Sequence, residues 1–474
     1  MPTASAHRRD PQPATGPPTG PPAARPAART ARPALPPARQ AALWAVLAAG
    51  AVPVLALWWG NTPPADLHAP GGYLTAAGRV TGLLAAYLLL ALTALMARVP
   101  WLENRIGADT SVRVHRALGE YTVALAAGHA VLIVLGYAAA LHTGVIAQGV
   151  SLLLDYPDVL MSAAALGLLI WIGVVSARAV RRRLAYESWY FIHLYAYLAM
   201  ALAFSHEFAV GADFSTSARN RILWSGAHIA VAAALLAYRV ALPLARSLRH
   251  RVRVEQVTAE GPGVVSVHLT GRALDRLGAQ PGQYLRWRFL TRRHWWQSHP
   301  YSLSAPPTAH RLRITVKDLG DASRDLHDLR PGARVWFEGP YGAFTVRRDA
   351  DPTRRILLIG AGAGITPIRA LFETLPGRGA DVILLYRASH ARDLILYGEL
   401  ERIARARGFG LYPLLGPRTA ADPLHPDALR RLVPDVADRE IYLCGPPGLT
   451  TAATGHLRRA GVPSRRIHTE AFDL

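Results

Sequence analysis

His115-Arg116-Ala117-Leu118-Gly119-Glu120-Tyr121-Thr122-Val123-Ala124-Leu125-Ala126-Ala127-Gly128-His129 carries an imidazole at each end of a largely apolar stretch. A second such stretch carries His193 and His206, thirteen residues apart. Ionisable or ligating side chains are costly inside hydrocarbon, so an intramembrane histidine marks a functional site by default. At about 1.5 Å rise per residue, both intervals separate two levels by roughly 20 Å, most of a bilayer core. Two such ladders predict two stacked metal sites, and two bis-histidine haems, one near each face, fit them. One angle resists. Fourteen residues return His129 to within about 40° of the face of His115, whereas thirteen leave His206 roughly 140° from His193 in an ideal helix.

Outward from these stretches, the chain has 474 residues, of which 51% are hydrophobic, yet carries a formal charge of +21. Apolar residues crowd the first half. Six apolar runs, at about 41–59, 74–97, 117–140, 159–177, 190–208 and 222–245, each approach the length of about 20 residues that a spanning helix needs. Arg98, Arg105, Arg113 and Arg116 lie between the second and third, and Arg178, Arg181, Arg182 and Arg183 between the fourth and fifth. The connections at 60–73 and 141–158 hold no Lys or Arg. The positive-inside rule then predicts cytoplasmic chain ends. His115 and His193 fall near the inner face, His129 and His206 near the outer one. The basic charge is thus read as membrane topology plus an arginine-rich bias, with Lys317 the lone lysine, and not as nucleic-acid binding.

Residues 1–40, rich in Pro, Ala and Arg, read as a disordered basic tail and not as a secretory signal peptide. Cys444 is the only cysteine, which excludes an intrachain disulfide, an all-cysteine metal site and C-x-x-C-H haem attachment. From about residue 248 to 350, short alternating runs (Val252–Val257, Val264–Leu269, Tyr284–Phe289, Leu312–Val316, Arg334–Phe337) between Gly and Pro signals predict an antiparallel β-barrel. From about 351 to 474, strand–helix alternation predicts an α/β domain with a parallel sheet.

Four motifs in this second half carry chemistry. His299-Pro300-Tyr301-Ser302-Leu303-Ser304 follows a Pro-Gly-Gln-Tyr strand entry. Lys317, Gly320 and Ser323 combine a cation, a close-approach glycine and a hydroxyl, sensible ligands for a diphosphate. Gly360-Ala361-Gly362-Ala363-Gly364-Ile365-Thr366-Pro367 lies between a strand and a helical run, where its amides and the helix N-terminus suit a pyrophosphate. Cys444-Gly445-Pro446-Pro447-Gly448 follows a later strand. Arg387 ends the strand between them, where an arginine in place of an acidic residue suits a 2′-phosphate.

In their order, these segments resemble the ferredoxin–NADP reductase-like module of the ferric reductase and NADPH oxidase superfamily, transmembrane flavocytochromes b. The resemblance covers about residues 41–474. It implies six transmembrane helices bearing two b-type haems on His115, His129, His193 and His206, then an FAD domain and an NAD(P) domain. Tyr301 would pack on the isoalloxazine and Ser302 hydrogen-bond near its reactive nitrogen, with His299, Pro300 and Ser304 in the same segment. Lys317, Gly320 and Ser323 would hold the FAD diphosphate. Gly360, Gly362, Gly364, Thr366 and Pro367, with Cys444, Gly445 and Pro446, would form the nicotinamide side. The resemblance places Arg387 at NADPH, with NADH as the alternative, and the terminal Phe472 over the flavin. Arg79 corresponds to a family arginine near the outer haem, with snorkelling to the interface as its plainer role. Arg116 would serve an inner propionate or mark the membrane edge, and His228 reads as an interhelical polar contact.

The implied function is electron transfer from cytoplasmic NAD(P)H through FAD and two haems to oxygen or a ferric chelate outside the cell membrane. The rival is an NAD(P)H:acceptor flavin reductase with a haem-free membrane anchor, reducing a cytoplasmic partner.

Overall fold

Each of the six apolar runs forms a helix, and a flavin-type β module and a five-stranded α/β module follow them. The computed structural model describes residues 37–106, 108–184, 186–215, 217–292, 295–346, 354–417 and 422–471. The basic tail through residue 36 and Phe472 lie outside the described residues.

The long helices are α1 Pro37–Gly60, α2 Gly72–Leu95, α3 Ala108–Ala140, α4 Val159–Ser176, α5 Tyr186–Ala209 and α6 Ala218–Leu235. A π-helical turn, Leu236–Ala241, and the helix Leu242–His250 continue α6 toward the second half. Among the described residues, most large hydrophobic side chains exposed to the surroundings belong to this half, Ile222, Leu223 and Ile229 among them. Such an apolar exterior is what a lipid-facing bundle presents. Among the described residues, five helices are long and apolar enough to cross a membrane, and α5 is not one of them. The expected fifth span is therefore a 24-residue helix of lower hydropathy. His193, His206, Glu207 and four tyrosines, the polar groups that make α5 informative, are also what lowers it.

Glycine sets the closest packing in this half. A Cβ on Gly71 would meet the Gly136 carbonyl oxygen at 2.0 Å, and one on Gly78 would meet Ile133 at 2.8 Å. Small residues let α2 and α3 approach along their length, as in membrane bundles generally. By contrast α3 and α5, the two histidine-bearing helices, share no extended close backbone packing; α3 lies along α2 and α5 along α4.

The β module has strands β1 Arg253–Gly261, β2 Val264–Thr270, β3 Tyr284–Phe289, β4 His299–Ser302, β5 Arg311–Lys317 and β6 Val335–Tyr341. They form two three-stranded antiparallel sheets, β1-β2-β5 and β4-β3-β6. Single bridges, Arg253 to Arg334 and Leu303 to Ile314, link the two sheets where a closed barrel was expected. Trp287, Phe289, Phe337, Leu285 and Ile314 fill the space between them. Strand β4, absent from the expected set, is the flavin-type motif itself. It pairs only with β3, an edge position that tolerates Pro300.

The α/β module carries β7 Ile356–Ala361, β8 Val382–Ala388, β9 Gly410–Leu415, β10 Glu440–Gly445 and β11 Ile467–Ala471, in the order β11-β10-β7-β8-β9 with parallel neighbours. The sequence predicts the three central strands. The two edge strands escape the sequence reading because β9 contains Pro413 and has no alternating burial, while β11 is short.

Candidate functional site

Three places bring the sequence-predicted residues together: the gap between α3 and α5, the β4 motif, and the carboxyl edge of β7 and β10.

In the gap, the His115 and His193 rings lie 5.8 Å apart between centroids, and the His129 and His206 rings 6.3 Å apart. Both pairs form despite the unfavourable angular projection along α5. That projection fixes Cα directions, whereas two side-chain torsions place each ring. An imidazole nitrogen sits about 2 Å from a first-row metal, so rings on opposite sides of one ion have centroids about 6 Å apart. The observed spacing thus accommodates one ion between each pair.

The tautomers are also set. His115 Nδ1 is 3.1 Å from the Leu92 carbonyl and His129 Nδ1 is 2.7 Å from the Gly78 carbonyl. A carbonyl only accepts, so each Nδ1 donates and each Nε2 keeps its lone pair for a metal. The two carbonyls belong to α2 and are themselves fourteen residues apart, one for each level. Gly82 completes the outer level, because a Cβ there would meet the His129 ring at 2.6 Å. Nδ1 of His193 and of His206 are buried with no hydrogen-bond partner. Among the described residues no three His, Cys, Asp or Glu gather to hold an ion. Two facing imidazoles per level, without a third side-chain ligand among the described residues, fit a haem, which would bring its own donor atoms, better than a bare cation.

Arg79 is occupied by protein. It pairs with Asp213 at 2.7 Å and donates to the Asn61 carbonyl at 3.0 Å, and its Nε is buried without a partner. His228 donates from Nδ1 to the Trp224 carbonyl on its own helix and touches Phe204 of α5 at 4.7 Å.

In the β4 motif, Ser302 Oγ is buried with no partner, a vacant bond of the kind a flavin heteroatom would satisfy. Tyr301 is held by its carbonyl, which accepts from Trp287 Nε1 at 3.0 Å, and its ring stacks with His299 at 6.1 Å. Burial pushes its phenol pKa upward, so the ring remains neutral. Ser304 is used otherwise. Fully buried, its Oγ accepts from Thr315 at 2.8 Å and from Arg313 Nε at 3.1 Å. Ser323 closes its own turn, accepting from the Leu319 amide at 2.9 Å, with Gly320 open beside it and Lys317 ending β5.

At the sheet edge, Cys444 lies in register with Gly360 across β10 and β7. The chain winds one way from β7 to β9 and the other way through β10 and β11. The β7/β10 boundary is therefore a topological switch point, where open α/β sheets bind ligands beyond their carboxyl ends. Gly362 takes a left-handed φ of 55° that favours glycine. Gly364 lies so near β10 that a Cβ would meet the Cys444 carbonyl group at 2.4 Å. Thr366 closes the turn by donating to the Ala363 carbonyl at 2.9 Å, and Pro367 is buried in the helix that follows. Pro446 precedes the helix Pro447–Arg459. Cys444 is fully buried and burial raises its thiol pKa well above the usual value, so it packs as a neutral side chain. Arg387 donates to the Leu414 carbonyl at 3.1 Å and the Pro417 carbonyl at 3.3 Å, at the end of β8.

One contact set joins the β module to the α/β module, and nothing in the sequence pointed to it. Glu399 accepts from Arg313 at 2.7 and 2.9 Å, and Arg369 Nε lies 2.8 Å from the same carboxylate. Burial would raise the Glu399 pKa, but the two guanidiniums outweigh it and hold the carboxyl below its usual range. Glu399→Gln leaves the two cations facing each other, and a loss of about 3 kcal/mol is expected. Thermal unfolding of the full chain checks this; an unchanged midpoint would refute the assignment.

Residues 81–204 match the family described as ferric reductase like transmembrane component, and residues 249–345 match an FAD-binding domain. Both halves of the chain are thus similar to parts of ferric reductase-like transmembrane flavoproteins. Its reductase module is 36% identical over 205 residues to the ferredoxin reductase component of 3-ketosteroid-9-alpha-monooxygenase from Mycolicibacterium smegmatis, covering 42% of this chain and 57% of that one. It is 32% identical over 203 residues to an NADPH oxidoreductase of Mycobacterium tuberculosis, covering 41% and 52%. The chain spans about half the length of these curated relatives. The flavohaem-like FAD/NAD binding domain of nitric oxide dioxygenase from Vibrio cholerae is 26% identical, with 47% of this chain and 99% of that domain covered at a TM-score of 0.39.

Proposed function

We propose that this flavoprotein carries electrons across a membrane, from NAD(P)H through FAD and two b-type haems to an external acceptor, oxygen or a ferric chelate. The observation that carries this reading is the pair of stacked histidine levels, each with rings about one ion apart and one Nε2 freed by a backbone carbonyl. In this reading α5 also spans the membrane and completes a set of six, the chain ends are cytoplasmic, and the membrane is the cell membrane. FAD would accept a hydride and release single electrons, and haem iron would pass them on one at a time. The protein's own work is positional. His115 with His193 would hold the inner haem and His129 with His206 the outer. Tyr301 and Ser302 would seat the flavin ring, and the loop of Gly360, Gly362 and Gly364 against Cys444-Gly445 would seat the dinucleotide.

A reduced-minus-oxidised spectrum of purified protein tests the reading, with b-type bands and two haems per flavin expected. Flavin without those bands would leave a reductase on a haem-free anchor. Parallel assays of superoxide formation and ferric-chelate reduction then identify the acceptor.

The chemistry of Arg387 and the name of one relative, an NADPH oxidoreductase, favour NADPH over NADH. Arg387→Ala is expected to raise KM for NADPH about tenfold, as loss of a charge-assisted phosphate contact does, while leaving NADH turnover unchanged. An unaltered ratio of the two specificity constants would refute the 2′-phosphate role.

A further inference from the structure

A cavity of about 230 Å³ separates the helical half from the β4 sheet. Leu95 and Met96 line it, three and four residues after Leu92, whose carbonyl holds His115. So do Ser111 and Val112, the same distances before His115, while Pro300 of the flavin motif lines the opposite wall. The cavity thus adjoins both the inner histidine level and the flavin motif, with room for several waters at about 30 Å³ each.

Four charged side chains line it, and three are satisfied. Arg98 pairs with Glu338 at 2.5 Å and lies over the Tyr341 ring at 5.5 Å. Arg239, within the π-helical turn, donates to the Met96 carbonyl at 3.3 Å. Arg286 donates to Ser298 Oγ at 3.3 Å and to the Ser298 carbonyl at 3.1 Å. Glu103 is the exception: its Oε2 is buried and makes no hydrogen bond. A buried carboxylate oxygen left unbonded is costly and calls for a role.

We propose that Glu103 takes up the proton released when the flavin is reoxidised. Hydride from NAD(P)H brings FAD two electrons and one proton. Return to FAD sends the two electrons singly to the His115/His193 level and frees that proton from the ring nitrogen. The Glu103 carboxylate accepts it, directly or through cavity water, becomes the acid, and then passes the proton to bulk water. Burial raises the pKa of Glu103, as does the Glu338 charge, while Arg98, Arg239 and Arg286 pull it down and the Tyr341 phenol stays neutral beside it. With the net shift upward, the acceptor form is lost as pH falls through a value above the ordinary carboxylate range.

The inference rests on the flavin-to-haem reading, and the test separates the two. In full-length protein in lipid nanodiscs, NADPH-driven flavin bleaching in Glu103→Gln should match wild type. Subsequent haem reduction should slow about a hundredfold, in line with loss of a positioned acid–base group, and lose its fall at low pH. Infrared difference spectra on flavin reoxidation should show a carboxylic acid band in wild type that is absent from Glu103→Gln. Haem reduction at the wild-type rate, or a band that persists in the variant, would overturn the proposal. If Glu103→Gln does not fold, the wild-type band and pH dependence decide, and absence of both overturns it. Should the preparation hold flavin but no haem, the flavocytochrome reading fails, while reoxidation by ferricyanide still tests Glu103 through the same band.

Discussion

His129→Ala is expected to remove about half of the haem absorbance and essentially all electron delivery to the external acceptor, while NADPH still bleaches the flavin. His129 is tied to the Gly78 carbonyl, faces His206 across 6.3 Å and lies against Gly82, so no neighbouring side chain on α2 is placed to replace it. The inner pair has its own carbonyl, from Leu92, and its own partner, His193, and should keep its haem. Pyridine haemochrome quantitation per flavin, with dithionite as reductant, gives the stoichiometry directly. A full two-haem complement in His129→Ala would sink the assignment of the outer level.

Gly364→Ala should instead slow hydride delivery from NADPH to the flavin. The added Cβ would meet backbone, the Cys444 carbonyl group at 2.4 Å and the Gly445 nitrogen at 2.5 Å, which no rotamer can relieve. Overpacking of this kind costs about 1–3 kcal/mol and displaces the turn. Displacing a substrate-positioning loop by about 1 Å costs on the order of a hundredfold in rate. Stopped-flow flavin bleaching by NADPH should fall by that factor, while dithionite reduces both haems normally. Bleaching at the wild-type rate would show that the loop does not seat the dinucleotide. The two variants block opposite ends of one route, so their spectra after NADPH addition differ: oxidised flavin in Gly364→Ala, reduced flavin in His129→Ala.

Much of the site was legible because its signals are local. His115 and His129 announce themselves as polar groups in apolar sequence, and the Gly360–Gly364 loop by its place between a strand and a helix. The β4 strand was less legible, since Pro300 disguises an edge strand as a loop. Ser304 sits in the right motif, yet its hydroxyl belongs to the Thr315 and Arg313 network. Glu399 and Glu103 left no trace at all. Each matters through partners distant in the chain, and a lone glutamate has no period or motif to betray it. Gly78 and Gly82 did leave a signal, two small residues four apart on an apolar helix, the spacing of close membrane packing.

The sequence alone determined which residue types lie at which level of which helix, and the order of the β and α/β modules. Apolar periodicity, arginine placement and glycine loops act over a few turns of chain and can be read without partners. Only the tertiary structure decided that His206 meets His129 despite an unfavourable projection along its helix, that α2 carbonyls fix two imidazole tautomers, and that β10 closes on Gly364. These are contacts between segments far apart in sequence, and their geometry is set by helix packing and strand order, which no single segment encodes.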